Sequence, residues 1–400
     1  MTGMTRDGQA IWIAEKARAA GFSDAHAFAT HFELRQYRMA QIYRAAVKEL
    51  LGGFDAVTTL PKEMRARLHE AGISFSSVEP SVVQHSVDGQ TTKALFRLKG
   101  VSALHAPRPP AAKPPGPPAF GPSAAVHSES TGEAQVEAVL MEHRGDRTTV
   151  CISSQAGCAF ACAFCATGQG GFSRHLRATE IFDQARFFAI ELAKKGKKIT
   201  NVVFMGMGEP FHNYEAVMDA VALFNDPHGF GLGHRHITIS TVGLVDKIDR
   251  FAEERLQVNL AISLHAPNDE VRGALMPVNR KFPLAELMAA CERFVRKTNR
   301  KVFFEYVLLR GMNDSEQHGR ELARLMAGRL YHVNLIPYNA TPDGAFSGTD
   351  NEAIWRFAGI LDAAGVPVTV RQNMGRDIAA ACGQLRVETQ RKTHKAAALS

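Results

Sequence analysis

The alternation of apolar and polar positions divides the chain into three textures. Residues from about 10 to 75 read as helices. Apolar side chains recur at helical spacing over Ile11–Ala20, Ala25–Thr30 and Tyr37–Leu51. From about Val78 to Leu98 the pattern shortens to β-like pieces, the last being Lys93–Leu98. From Thr148 onward strand-like and helix-like segments alternate. The strand candidates are Thr148–Ser153, Asn201–Met205, His236–Ser240, Val258–Leu264, Lys301–Leu308 and Val333–Ile336. Between them lie helix candidates Thr179–Lys195, Asn213–Asn225, Leu244–Glu254, Leu284–Lys297, Ser315–Met326 and Asp350–Ala364. Thr179 and Asn213 stand where N-caps belong, and Gly196 stands where a helix would stop. Six such repeats predict an α/β fold with a partial parallel barrel, helices outside and chemistry on the loops after the strands.

Between the second and third textures lies a break. Eight of the 18 prolines fall between Pro107 and Pro122. Proline removes backbone donors and fixes φ, so residues 103–132 pair into neither helix nor sheet. Strand patterns flank the stretch, Lys93–Leu98 before and Val136–Met141 after. It is either an insertion joining neighbouring strands or a linker between domains. The expected organisation is a helical accessory region over 1–100 that ends in β strands, a Pro-rich loop over 103–132, a barrel over 133–385 and a basic tail over 386–400.

Composition narrows the class. Hydrophobic and charged contents of 45% and 22% are ordinary for a globular protein. There is no apolar run of membrane-spanning length and no signal-peptide core, so a cytosolic location is expected. The net charge of +7 is compatible with a polyanionic partner. Basic groups gather at Lys194–Lys198, His234–His236 and Arg391–Lys395. Six cysteines are too few for a disulfide scaffold, and in a reducing compartment clustered cysteines bind metal or catalyse. Cys291 lies in a helical pattern and is expected to be buried.

The cluster is Cys158-Ala-Phe-Ala-Cys162-Ala-Phe-Cys165, directly after the first barrel strand. Three thiolates at this spacing can hold three irons of a cubane and leave the fourth iron open. A structural zinc would close four ligands around one ion. Cys151 could be a fourth only from within the strand. Phe160 and Phe164 would shield a cluster. Gly206-Met-Gly208-Glu209-Pro210 follows the second strand, where glycines permit close approach to a ligand and Glu209 can bind an ammonium group. Ser240, then Ser263, Leu264 and His265, then Asn339 fall at the ends of three later strands. Each alone could be a turn or cap residue; together they share one barrel mouth.

With these motifs the chain resembles the radical S-adenosylmethionine (SAM) superfamily, and more closely the RlmN/Cfr family of RNA adenosine methyltransferases. Cys151-Ile-Ser-Ser-Gln-Ala-Gly-Cys158, Phe204-Met-Gly-Met-Gly-Glu-Pro210, Ser263-Leu-His-Ala-Pro-Asn-Asp269, Asn334-Leu-Ile-Pro-Tyr-Asn339 and Asp377-Ile-Ala-Ala-Ala-Cys-Gly-Gln-Leu385 carry the resemblance, which spans about residues 136–385. It implies a [4Fe–4S] cluster on Cys158, Cys162 and Cys165. It also implies SAM contacts at Gly208, Glu209, Ser240, Ser263, Leu264, His265 and Asn339. Three catalytic residues follow: Cys382 as the methyl carrier, Cys151 as its disulfide partner and Glu137 as the base.

The implied route is radical because C2 and C8 of adenine are poor nucleophiles. One SAM methylates Cys382, and a second yields a 5′-deoxyadenosyl radical that activates the methyl group for attack on the base. A protein–RNA crosslink forms, Glu137 removes the ring proton, and Cys151 releases the product by pairing with Cys382. The Pro-rich stretch departs from the family's usual short hairpin, and the spacing from Glu137 to Cys151 is slightly longer than usual. Pro210 and Pro337 resemble the C2 subgroup, which acts on 23S rRNA and tRNA. Cys-Ile-Ser-Ser-Gln, Cys-Ala-Thr-Gly and Tyr331-His-Val-Asn-Leu look like the C8 subgroup. The expected activity is C2 methylation, with C8 methylation as the alternative and a reductant such as flavodoxin as partner. A non-catalytic RNA-binding protein with a structural metal is the contrasting class.

Overall fold

A computed structural model describes residues 6–99, 134–339, 345–380 and 383–385. The chain opens with helices α1 (Gly8–Ala19), α2 (Ala25–His31), α3 (Gln36–Val47) and α4 (Lys62–Glu70), followed by strands β1 (Val78–His85) and β2 (Thr91–Leu98). After the undescribed segment come β3 (Gln135–Glu142), β4 (Thr148–Cys151), β5 (Gln155–Gly157), α5 (Ala166–Gln169) and β6 (Phe172–His175). The repeats continue as α6 (Ala178–Lys194), β7 (Asn201–Phe204), α7 (Tyr214–Asn225), β8 (Ile237–Thr241), α8 (Val245–Glu253), β9 (Asn259–Ser263) and α9 (Asp269–Leu275). They end with α10 (Leu284–Thr298), β10 (Val302–Leu308), α11 (Glu316–Met326), β11 (Tyr331–Pro337), α12 (Asn351–Ala363) and β12 (Val368–Val370).

Ten strands form one sheet in the order β1-β2-β3-β4-β7-β8-β9-β10-β11-β12. From β4 to β12 every neighbour is parallel, with helices in the connections, which is the partial α/β barrel the repeats predict. The short β12 adds a strand that the sequence pattern did not reveal. On the other side β1, β2, β3 and β4 pair antiparallel. Because Leu95 faces Glu137 and the Leu98 N–H donates to Ala134, the Pro-rich stretch joins two adjacent strands. The stretch itself lies outside the described residues.

The N-terminal helices dock on the barrel through α6. Lys16, 4% exposed, donates to Ser77 Oγ at 2.8 Å and to Asp183 Oδ2 at 3.1 Å. A buried charge left without its partner costs about 3–5 kcal/mol, so this pair specifies the docking. The Glu15 carboxylate accepts from the N–H groups of Ala178 and Thr179 at 3.1 and 2.8 Å. The α6 N-terminus is therefore capped from α1, and Thr179 is the second residue of the helix rather than its cap. Asn213 does sit at the cap position of α7, but its side chain donates to Ser154 and Leu176 instead. Gly196 ends α6 at φ +67°, as its place in the sequence predicts. Cys291 is fully buried in α10.

Candidate active site at the barrel mouth

The parallel strands end on one side of the sheet, and the three-cysteine loop follows β4 and the short β5 there. The loop is held from several sides. Cys158 N–H donates to Gly171 at 2.8 Å, and Ala163 N–H donates to Leu275 at 2.9 Å. Ala161 adopts φ +49°, and a side chain on Gly168 would come within 3.0 Å of Cys162 N. The Phe164 ring lies edge-on to His265 at 4.7 Å.

Burial pushes the Cys158 thiol up to about 12, with Glu209 and Cys165 adding to it. Burial, with Cys165 and Cys158, pushes Cys162 well above the ordinary thiol value. A metal bound at Cys158 and Cys162 would have to displace their protons. A tetrahedral zinc would hold thiolates roughly 3.8 Å apart, given Zn–S bonds of about 2.3 Å. No three His, Cys, Asp or Glu side chains among the described residues gather for a single ion. Three cysteines on one short loop supply the donor set that fits three irons of a cubane.

Glu209 is 2% exposed at the mouth. Its Oε1 accepts from Phe211 N–H at 2.9 Å and its Oε2 from Val242 N–H at 2.8 Å, tying the β7 loop to the end of β8. Burial raises its carboxyl to about 7 against the opposing hydrogen bonds from Thr241, Val242 and Phe211. Gly208 has φ +99°, and a Cβ there would fall 2.5 Å from Gln155 Cβ. The close approach that this glycine permits is therefore to the chain's own β4–β5 segment.

Ser240 lies buried near the end of β8, and Ser263 ends β9. Leu264 and His265 follow, fully or nearly buried. His265 adopts φ +58°, and its Nδ1 accepts from Val307 N–H at 3.0 Å. Burial, with help from Arg272, lowers it to about 3, so the imidazole is neutral. Asn339, after β11, donates to Asn373 Oδ1 at 3.2 Å and accepts from Arg376 Nε at 2.8 Å. The candidate SAM residues thus line the ends of β7, β8, β9 and β11.

Glu137 and Cys151 lie on the antiparallel flank. Val139 faces Cys151 across β3 and β4, and Glu137 is two residues further along β3. With a side-chain period of two, Glu137 and Cys151 share one face. Both are buried. Lys93, directly opposite Val139 on β2, shares that face and pairs with Glu137 Oε1 at 3.2 Å. Lys93 Nζ also donates to the Ala379 carbonyl at 3.4 Å. Cys382 lies outside the described residues. The backbone beyond it is tied down, with Ala166 N–H donating to Gly383 at 2.9 Å and Thr167 Oγ1 donating to Leu385 at 2.7 Å.

Sequence reasoning missed three residues here. Lys93 was readable only as a charge inside an apolar strand. Arg272, fully buried, donates to Val242, Leu264 and Asn279 at 2.7, 3.2 and 2.8 Å, knitting the loops after β8 and β9 beside Cys162. Asn313 donates to the carbonyls of His265 and Val307 at 2.8 and 2.6 Å. Both look like surface residues in the sequence.

The radical SAM superfamily profile matches residues 152–322. A probable dual-specificity RNA methyltransferase RlmN from Chloroflexus aurantiacus is 46% identical over 360 residues, covering 87% of this chain and 86% of that protein. Its counterpart from Moorella thermoacetica is 49% identical over 357 residues, covering 88% and 91%. Among solved structures, a radical SAM methyltransferase from Sphaerobacter thermophilus aligns with a TM-score of 0.80 at 43% identity, over 91% of this chain and 97% of that one.

Proposed function

We propose, from the premise that the chain belongs to the RlmN family of radical SAM RNA methyltransferases, that it methylates C2 of adenosine in 23S rRNA and in tRNA. A [4Fe–4S] cluster on Cys158, Cys162 and Cys165, together with SAM, supplies the one-electron chemistry that an electron-poor aromatic carbon demands. Gly208, Glu209, Ser240, Ser263, Leu264, His265 and Asn339 cradle SAM at the mouth, and a reductant such as flavodoxin supplies the electron. Residues 1–100 act as the accessory RNA-binding part and residues 133–385 as the catalytic barrel.

The observation that carries this reading is the tethering of the segment around Cys382. On one side Ala379 is held by Lys93, on the strand face that bears Glu137 and Cys151. On the other side Gly383 is held by Ala166, next to cluster residue Cys165. In the proposed sequence Cys382 carries the methyl group to the base, Glu137 accepts the ring proton, and Cys151 pairs with Cys382 to free the RNA. The resulting disulfide is then reduced by thiol exchange.

Mass spectrometry of 23S rRNA and tRNA from cells with and without the gene tests the regiochemistry. Loss of 2-methyladenosine is the expected result; loss of 8-methyladenosine would transfer the chain to the C8 activity. The cysteine roles have their own test. A Cys151→Ala protein keeps its iron and is isolated with RNA covalently attached, and adding Cys382→Ala removes the adduct. A Cys151→Ala enzyme with normal turnover would reject the disulfide role.

A further inference from the structure

Beside the cluster loop, the β5–β6 hairpin and the turn after Pro210 bring four rings together at the rim of the mouth. His175 and His212 are 4.9 Å apart between ring centres, Phe172 is 5.1 Å from His175 and 5.8 Å from His212, and Phe160 is 5.6 Å from His212. Phe172, His175 and His212 are exposed, Phe172 to 41%. Neither histidine has a place in the chemistry described above.

One buried side chain fixes their protonation. Gln155 Oε1 accepts the Glu209 N–H at 2.8 Å, which identifies the other end of its amide as the NH2 group. That NH2 lies 3.0 Å from His175 Nδ1 and 3.1 Å from His212 Nδ1. An NH2 group only donates, so both Nδ1 atoms must accept. Both imidazoles are therefore neutral and carry their proton on Nε2. The rim thus offers exposed aromatic faces and two uncharged N–H donors.

We infer that this edge-packed cluster presents the Phe172 ring as a stacking platform for an unpaired base of the RNA substrate, with the two Nε2–H groups as its hydrogen-bond donors. This rests on the RNA-methyltransferase reading. Proteins hold splayed-out RNA bases by stacking them on aromatic and imidazole faces and bonding to their edges. The platform adjoins the Cys158–Cys165 loop, so a base resting on it belongs to the strand whose adenosine enters the mouth. Being uncharged, it adds affinity without releasing counterions.

The test is the affinity of the iron-loaded enzyme for a synthetic RNA stem–loop with adenosine in the loop, measured across a salt series. Phe172→Ala should weaken binding roughly 5-fold or more, the scale of one lost stacking contact. The salt slope, iron content and thermal stability should not change, and Phe172→Tyr should restore affinity. Nitrogen chemical shifts of His175 and His212 should report unprotonated Nδ1 in both rings. Unchanged affinity in Phe172→Ala, or protonated Nδ1 atoms, overturns the inference. So does a variant that binds RNA normally but cleaves SAM slowly with a protein reductant and not with dithionite, which would make the patch a reductant dock. Wild-type enzyme that fails to bind RNA would instead defeat the RNA-methyltransferase reading itself.

Discussion

The two halves of the sheet handle buried charge differently. In the parallel half, two groups on the mouth loops are held mainly by the chain's own backbone: Glu209 accepts from two N–H groups, and Arg272 donates to carbonyls from two strand ends, whereas Glu305 on β10 pairs with Arg371 at 3.3 Å. In the antiparallel flank side chains of opposite charge type meet each other, as Lys93 meets Glu137. Backbone partners are fixed by the fold, so the loops bearing Glu209 and Arg272 act as a cradle. Side-chain partners can exchange a proton or shift with a ligand, so the flank is where proton and thiol chemistry can occur. The difference predicts that substitutions in the first half act on stability and those in the second act on turnover.

The largest effect belongs to the loop where the halves meet. Replacing Cys158, Cys162 or Cys165 with Ala should abolish iron loading and 5′-deoxyadenosine formation, because each removes a proposed cluster thiolate. A variant with full iron content and full SAM cleavage would remove the cluster from that loop.

Arg272→Met probes the cradle. It should destabilise the apoprotein by about 3–5 kcal/mol in denaturant unfolding, since several buried carbonyls and Asn279 lose their donor at once. A loss below about 1 kcal/mol, with SAM cleavage gone, would show Arg272 serving chemistry rather than scaffolding.

Lys93→Met probes the flank. Glu137 loses its ion pair with Lys93, so the proposed removal of the ring proton by Glu137 should slow while SAM cleavage continues. Methylated RNA formed per 5′-deoxyadenosine should drop about tenfold, a modest share of the 10²–10⁴ that a general base supplies. The ratio should recover in Lys93→Arg and at higher pH. An equal fall in both products would mean that Lys93 acts through the fold.

On the stability of the apoprotein Glu209→Gln should have the smallest effect, read in its pH dependence. The folded-state carboxyl sits at about 7, above its ordinary value of 4.5. Between those values the folded state binds the proton and the unfolded state does not. Wild-type apoprotein should therefore lose stability as pH rises from 4.5 through 7, by at most ~3 kcal/mol. Glu209→Gln should lack that component, read as the difference between the two unfolding profiles at pH 5 and pH 8.

Legibility followed the range of the interactions. The six parallel strands and their helices were readable because each repeats a local apolar pattern, and the cysteine loop because its ligands are neighbours in sequence. The α6 cap was misread because its acceptor, Glu15, arrives from 163 residues away. The short β12 escaped because three residues of a half-buried edge strand carry no period. Arg272 and Asn313 look like surface residues until the loops they bind are folded around them.

Sequence alone determined the order of the six repeated strands and their helices, the position of the three-thiol loop after the first parallel strand, and the residue types along the mouth. These are consequences of local periodicity and of ligands close together in the chain. Tertiary structure decided that Lys93 meets Glu137, that Glu209 is held by backbone donors, and that Gln155 fixes two imidazoles as neutral. Each needs groups from different strands or loops to be buried side by side, and only in that surrounding does a lost partner cost enough to fix a charge or a tautomer.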